Sequence, residues 1–115
     1  MQLLDLSQAL KATEGDVILL REVIQAFLDE YPSLLTEIEG AIQAGDAVAV
    51  QRASHTISGT LRLFGEVAPR QLSRELEAIG RSGDLGAAQA MHQALTASLK
   101  LFRQQLLESI KTFSP

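Results

Sequence analysis

An all-α fold, an antiparallel up-and-down four-helix bundle with a short N-terminal capping helix, is what this 115-residue sequence predicts. Three observations carry the prediction. Aromatic residues make up only 4% of the chain while Ala, Leu, Gln and Glu are abundant, so helix formers outweigh the β-branched and aromatic residues that strands favour. Apolar residues recur at steps of three and four along several long segments. The links between those segments are short, which forces consecutive helices to lie side by side and antiparallel.

The first helix is expected from Leu3 to about Lys11, capping one end of the bundle. Gly15 and Asp16 punctuate the chain, and Asp16 is suited to accept hydrogen bonds from the free amides of the next helix. From Asp16 to Ala44 the residues Leu20, Ile24, Phe27, Tyr31, Leu34, Leu35, Ile38 and Ile42 hold one helical phase across Pro32. This predicts a helix kinked at Pro32, with two abutting helices as the alternative. Gly45 and Asp46 stop that helix and start a third, which runs to about Phe64 and ends at Gly65. Pro69 helps start the next helix, with Ala68, Leu72, Leu76 and Ile79 inward and a stop near Gly80 to Gly83. Asp84 is expected to cap a final helix reaching nearly to Thr112, with Ala88, Leu95, Leu99, Phe102, Leu106 and Ile110 inward.

Composition bounds the function. The length is that of one domain, residues 1–115, able to bury roughly 65% of its unfolded surface. Hydrophobic residues at 46% and charged residues at 21% describe a soluble globular chain rather than a disordered or membrane-spanning one. The absence of cysteine excludes disulfides and thiolate metal sites. A formal charge of −4 disfavours nucleic acid as a partner. No signal-peptide pattern opens the sequence and no stretch approaches about 20 apolar residues, so a cytoplasmic domain without direct membrane contact is expected.

On the third helix Val50, Ala53, Ile57, Leu61 and Phe64 mark the inward stripe. His55 falls roughly 160° from its centre and faces outward. Val48, Gln51, Arg52, Ser58, Gly59 and Arg62 are expected on the same face. A mid-helix glycine costs about 1 kcal/mol relative to alanine, and Gly59, one turn after the histidine, clears space beside the ring. An exposed neutral imidazole has a ring-nitrogen lone pair that can attack phosphorus, and Arg52 and Arg62 can offset the charge of a phosphoryl group. By default an exposed histidine is only a polar surface residue, and these arginines only solvated charges.

The stretch Ala53-Ser54-His55-Thr56-Ile57-Ser58-Gly59, followed by Gly65, resembles the histidine-containing phosphotransfer (HPt) domain of bacterial multistep phosphorelays. That family's pattern has an Ala near the His, then x-x-Lys-Gly, then a second Gly six residues later. His55, Gly59 and Gly65 match in register, and Gly45-Asp46, Leu76-Glu77 and Gly83-Asp84 add to a resemblance covering nearly the whole chain. It implies a phosphorelay intermediate in the two-component manner: His55 accepts a phosphoryl group from the aspartyl phosphate of a response-regulator receiver domain and passes it to another. It further implies a monomer with no cofactor of its own, Mg²⁺ sitting on the receiver, and no autonomous kinase activity. A hybrid sensor histidine kinase is a further candidate partner, and the chain fits either a free-standing protein or part of such a kinase.

One departure stands out. The family's Lys, three residues after the histidine, is Ser58 here, and a hydroxyl carries no charge. Arg62 or Arg52, with Arg81 from the next helix, is expected to supply the cation. Val48 is a candidate docking residue, as are Leu4 and Leu6, for which capping the core is an equal role. His92 lies at the edge of the last helix's inward stripe and reads as a structural histidine. No helical Glu-x-x-His pair for a metal and no phosphate-binding glycine loop for ATP is present. Two other readings compete: a degenerate domain that binds a receiver without chemistry, and a helical interaction or dimerisation module.

Overall fold

The computed structural model describes residues 3–113, so the ends of the expected 1–115 domain lie outside the described residues. The helices are α1 (Ser7–Ala12), α2 (Val17–Ala44), α3 (Ala47–Leu61), α4 (Ala68–Ser82) and α5 (Ala88–Ile110). Short 3₁₀ turns follow α3 at Arg62–Phe64 and α5 at Lys111–Phe113. Helices α2 to α5 form the expected antiparallel bundle, each packing on the one before it and α5 closing back onto α2.

The punctuation residues act largely as their chemistry dictates. Asp16 and Asp46 accept the N–H of Leu19 and Ala49, capping α2 and α3, each contact being worth about 1 kcal/mol. Gly45 and Gly83 close α2 and α4 in the left-handed conformation, at φ 69° and 80°. Pro69 lies in the first turn of α4, where its missing donor costs nothing.

Three expectations change. Helix α1 starts at Ser7 and not Leu3: Asp5 accepts the N–H of Ser7, while Leu4 donates its N–H to Ser109 Oγ and so ties the entering chain to the end of α5. Helix α2 runs through Pro32 as one helix, the first of the two readings of that segment, and not as two abutting ones. Pro32 sits on its exposed side, and the buried stripe from Leu20 to Ala41 stays in phase across it. Asp84 does not cap α5, which begins at Ala88; its carboxylate instead accepts the N–H of Gly86 within the preceding turn. On α4, Leu76 is buried and Leu72 and Ile79 pack half-buried against the core as expected, but Ala68 is exposed, and Ser73, Glu77 and Gly80 share the inward positions.

Helices α2 and α5 outrun the α3–α4 hairpin. At about 1.5 Å per residue the 28 residues of α2 span roughly 42 Å, against about 22 Å for the 15 of α3. Their overhang gives the molecule its 48 × 26 × 21 Å extents. The turn after α3 and α1 cover it, with Leu6 and Ala9 buried. Beneath that cap Phe27, Tyr31, Phe64 and Phe102 form one ring cluster, with centroids 5.3 Å apart for Phe27–Tyr31 and Phe64–Phe102. No helix among the described residues is long and apolar enough to cross a membrane.

Phe102, fully packed among the other rings, is the centre of this cap. Phe102→Ala is expected to lower stability by about 3–5 kcal/mol in urea unfolding; a loss under about 1 kcal/mol would contradict this packing.

Candidate functional site

The site is built by the way α3 meets α4. A Cβ on Gly80 would stand 2.6 Å from the backbone N of Gln51 and 2.9 Å from the carbonyl O of Ala47. The two backbones therefore touch, and only glycine fits. Ser54 and Ser58 repeat the phase of Ala47 and Gln51 two turns on, and Ser73 repeats that of Gly80 two turns back; all three serines are buried. Small residues thus line the seam on both sides. Ser54 Oγ has no hydrogen-bond partner there, so its size and not its polarity suits the position.

Glu77, one turn before Gly80, is carried by this close approach against His55. The imidazole Nδ1 lies 3.0 Å from Glu77 Oε2 and 3.2 Å from Oε1. The histidine side chain is 71% exposed and that of the glutamate only 11%. A carboxylate only accepts, so Nδ1 carries the proton, and in the neutral ring Nε2 holds the lone pair. Arg81 donates to Glu77 Oε2 from the other side at 3.4 Å. Gln51, Arg52, His55, Thr56, Glu77 and Arg81 line a shallow open recess of about 470 Å³.

The residues singled out from the sequence divide accordingly. Arg52, Gln51 and Arg81 share the recess with His55. Gly59 adjoins open space, since a Cβ there would meet nothing within 4 Å. Val48 is 55% exposed on the outward face two turns before His55. Arg62 is exposed two turns after His55, outside the recess. Ser58 is a correction: expected beside His55, it is 7% exposed, because its phase turns it into the seam with α4. Leu6 is buried in the cap and Leu4 half-buried against it, the core role rather than a docking one.

His92 is the structural residue that was expected. Its Nε2 is 2.9 Å from the carbonyl O of Leu35 and its Nδ1 3.2 Å from Glu39 Oε2, so both nitrogens join α5 to α2. No group of three potential metal ligands occurs among the described residues.

Sequence reasoning did not single out Glu77 or Gly80 as parts of the site. A signal existed for each: a carboxylate next to Leu76 on an inward stripe demands a partner, and a glycine inside a strongly amphipathic helix demands a close neighbour.

A family model described as Hpt domain matches residues 22–108. Among solved structures, the crystal structure of histidine-containing phosphotransfer protein B (HptB) from Pseudomonas aeruginosa PAO1 is similar, with a TM-score of 0.85 and 22% sequence identity over 96% of this chain and 96% of that one. At that identity the likeness is one of fold. No curated protein matches the chain.

The seam makes a prediction. Gly80→Ala gains about 1 kcal/mol of helix propensity, but its methyl meets immovable backbone, so a net loss of about 1–3 kcal/mol is expected in denaturant unfolding. The His55 ring should also lose its single tautomer in ¹⁵N NMR spectra. A variant as stable as the native chain would show that the seam is not close-packed.

Proposed function

This chain belongs to the Hpt domain family, and on that premise we propose that His55 is the residue on which it carries a phosphoryl group. Hpt domains are phosphocarriers in phosphorelays and work with response-regulator receiver domains. The observation that carries the assignment is the division of labour on the ring: Nδ1 is held from behind by Glu77 and Nε2 looks outward.

The step follows from that geometry. The Nε2 lone pair attacks the phosphorus of the receiver's aspartyl phosphate, an N–P bond forms, and the P–O bond to the aspartate breaks, the carboxylate leaving with the electron pair. The ring, now bonded at Nε2 and protonated at Nδ1, is a cation, and the Glu77 carboxylate offsets that charge. Arg52 and Arg81 take the phosphoryl oxygens. The Arg81–Glu77 pair is solvent-facing on the arginine side, 62% exposed, so turning the guanidinium to the phosphate costs little. Mg²⁺ held by the receiver would supply further charge neutralisation, and positioning with charge neutralisation supplies most of the catalysis in phosphoryl transfer. Transfer onward is the same step reversed. On this reading the chain acts as a cytoplasmic monomer with no cofactor of its own, and a hybrid sensor histidine kinase is one source of the phosphoryl group.

The test is to incubate the chain with a phosphorylated receiver domain and Mg²⁺ and follow acid-labile, base-stable label. Label is expected in the native chain and His92→Ala and none in His55→Ala; label surviving in His55→Ala would sink the assignment. No label in any form, despite receiver binding, would favour a degenerate domain.

The supporting residues can be ranked in the same assay. Glu77→Gln keeps an acceptor but loses the charge, and transfer is expected to slow about tenfold, the equivalent of 1.4 kcal/mol. Arg52→Ala/Arg81→Ala should slow it at least as much. Ser58→Ala should leave the rate within about twofold, and a large loss there would return the serine to the site.

A further inference from the structure

The terminal oxygens of a phosphoryl group on Nε2 are all acceptors, and the recess around His55 holds few donors to meet them. Thr56 spends its hydroxyl hydrogen on the carbonyl O of Arg52. Ser58 is buried in the seam with α4. Glu77 only accepts, and His55 and Arg81 already engage it. Among the described residues lining the recess, the guanidinium groups of Arg52 and Arg81 are therefore joined by one further side-chain donor, the carboxamide of Gln51.

Gln51 is fixed at its root and uncommitted at its tip. Its backbone is what Gly80 admits, since a Cβ on that glycine would stand 2.6 Å from Gln51 N and 2.9 Å from its Cα. Half-buried there, it lies one turn before His55 on the same face of α3. Side chains on a helix lean toward its N-terminus, so the imidazole covers the turn of Gln51 and Arg52 and not that of Gly59. Other glutamines of this molecule that stand beside a carboxylate bond to it: Gln25 donates to Asp29, and Gln43 and Gln89 donate to the two oxygens of Glu39. Gln51 makes no such bond to a described residue, although Glu77 lines the same recess.

We propose that Gln51 is a catalytic residue of the phosphotransfer site, its carboxamide N–H donating to a terminal oxygen of the phosphoryl group on His55. The proposal rests on the phosphotransfer reading and adds a donor to a site whose family pattern has a lysine where this chain has the buried Ser58. A hydrogen bond to a charged acceptor is of the strong kind. It exists only once the group is on the ring, so it favours the phosphorylated chain without changing how the free chain meets a receiver. Being neutral, the amide acts by contact and adds nothing to the long-range field. The close approach of α3 to α4 at Gly80 holds its Cα in place, and a donor on a rigid element is better aimed than one on a loop.

The experiment compares the native chain with Gln51→Met, which keeps the stem and removes the donor, and Gln51→Glu, which puts a charged acceptor in its place. Each is equilibrated with the phosphorylated receiver domain that labels the native chain fastest. The ratio of label on the chain to label on the receiver is read together with affinity for the unphosphorylated receiver. Gln51→Met should lower the ratio about fivefold and Gln51→Glu about tenfold or more, with affinity kept within about twofold. The Gln51→Met loss should be the same at about 20 mM and about 0.5 M salt, because a bond at contact is screened far less than attraction across a Debye length. If Gln51→Met fails to fold, judged by circular dichroism, Gln51→Ala should show the same loss. A native ratio in a folded variant, or a Gln51→Glu no worse than Gln51→Met, would overturn the role of Gln51 and leave phosphotransfer standing. A parallel loss of receiver affinity would overturn it in favour of a partner contact. Altered ¹⁵N signals of the His55 ring in the unphosphorylated Gln51→Met chain would overturn it in favour of a structural role. A native chain that neither a phosphorylated receiver nor phosphoramidate labels would overturn the phosphotransfer reading and this role with it.

Discussion

The contact between the backbones of α3 and α4 at Gly80 is the constraint on which the site depends. Everything else at the site could be moved by a rotamer; this cannot. With no Cβ at position 80 the two helices meet main chain to main chain at Gln51 and Ala47. That approach fixes the distance from which Glu77 reaches His55, so that the carboxylate on one helix meets a ring on the other at 3.0 Å. Glutamate is already the longer of the two acidic side chains, so a wider seam would carry the carboxylate out of hydrogen-bond reach of the ring.

The same seam explains why Ser58 does not do what the family pattern leads one to expect at its position. Three residues after His55 the helix has turned by about 300°, which lies between the outward face and the α4 contact. A long lysine at such a position can run its stem along the seam and deliver its charge at the edge. A serine has no such reach and is simply buried. The positive charge around His55 instead comes from Arg52 and Arg81, on two different helices but one recess. Charge in this protein is thus assigned to a face and not to one motif position.

The bundle itself was legible because its determinants are local or periodic. Asp16, Asp46, Gly45, Gly65, Gly83 and Pro69 each act within a turn of their own position, and stripes such as Leu20 to Ile38 repeat at the helical period. Errors arose where a local reading had two outcomes. Asp84 makes a turn instead of a helix cap, because an aspartate serves either through the same acceptor oxygens. Leu3 to Leu6 are as suited to a helix as to the irregular entry that Ser109 ties down. The outward face of His55 was legible from phase alone. Its partner was not, because Glu77 is 22 residues away and only the packing of one helix on another brings the two together.

A carrier has to solve a problem that an enzyme with a closed pocket does not. Its nucleophile must be reached by a second protein from outside, which demands exposure, yet it must also be held in one tautomer and one orientation, which exposure works against. Here the two demands are met on opposite edges of one ring. The edge bearing Nδ1 faces a glutamate that is almost wholly buried, where a hydrogen bond to a charged group is stronger than it would be in water. The edge bearing Nε2 is left to the solvent. In the proposed transfer the ring becomes cationic on gaining the phosphoryl group, so the attraction to Glu77 would grow and favour holding the group, and would relax when a receiver takes it away. A carboxylate behind the ring would in that way deepen the phosphohistidine well without obstructing either transfer.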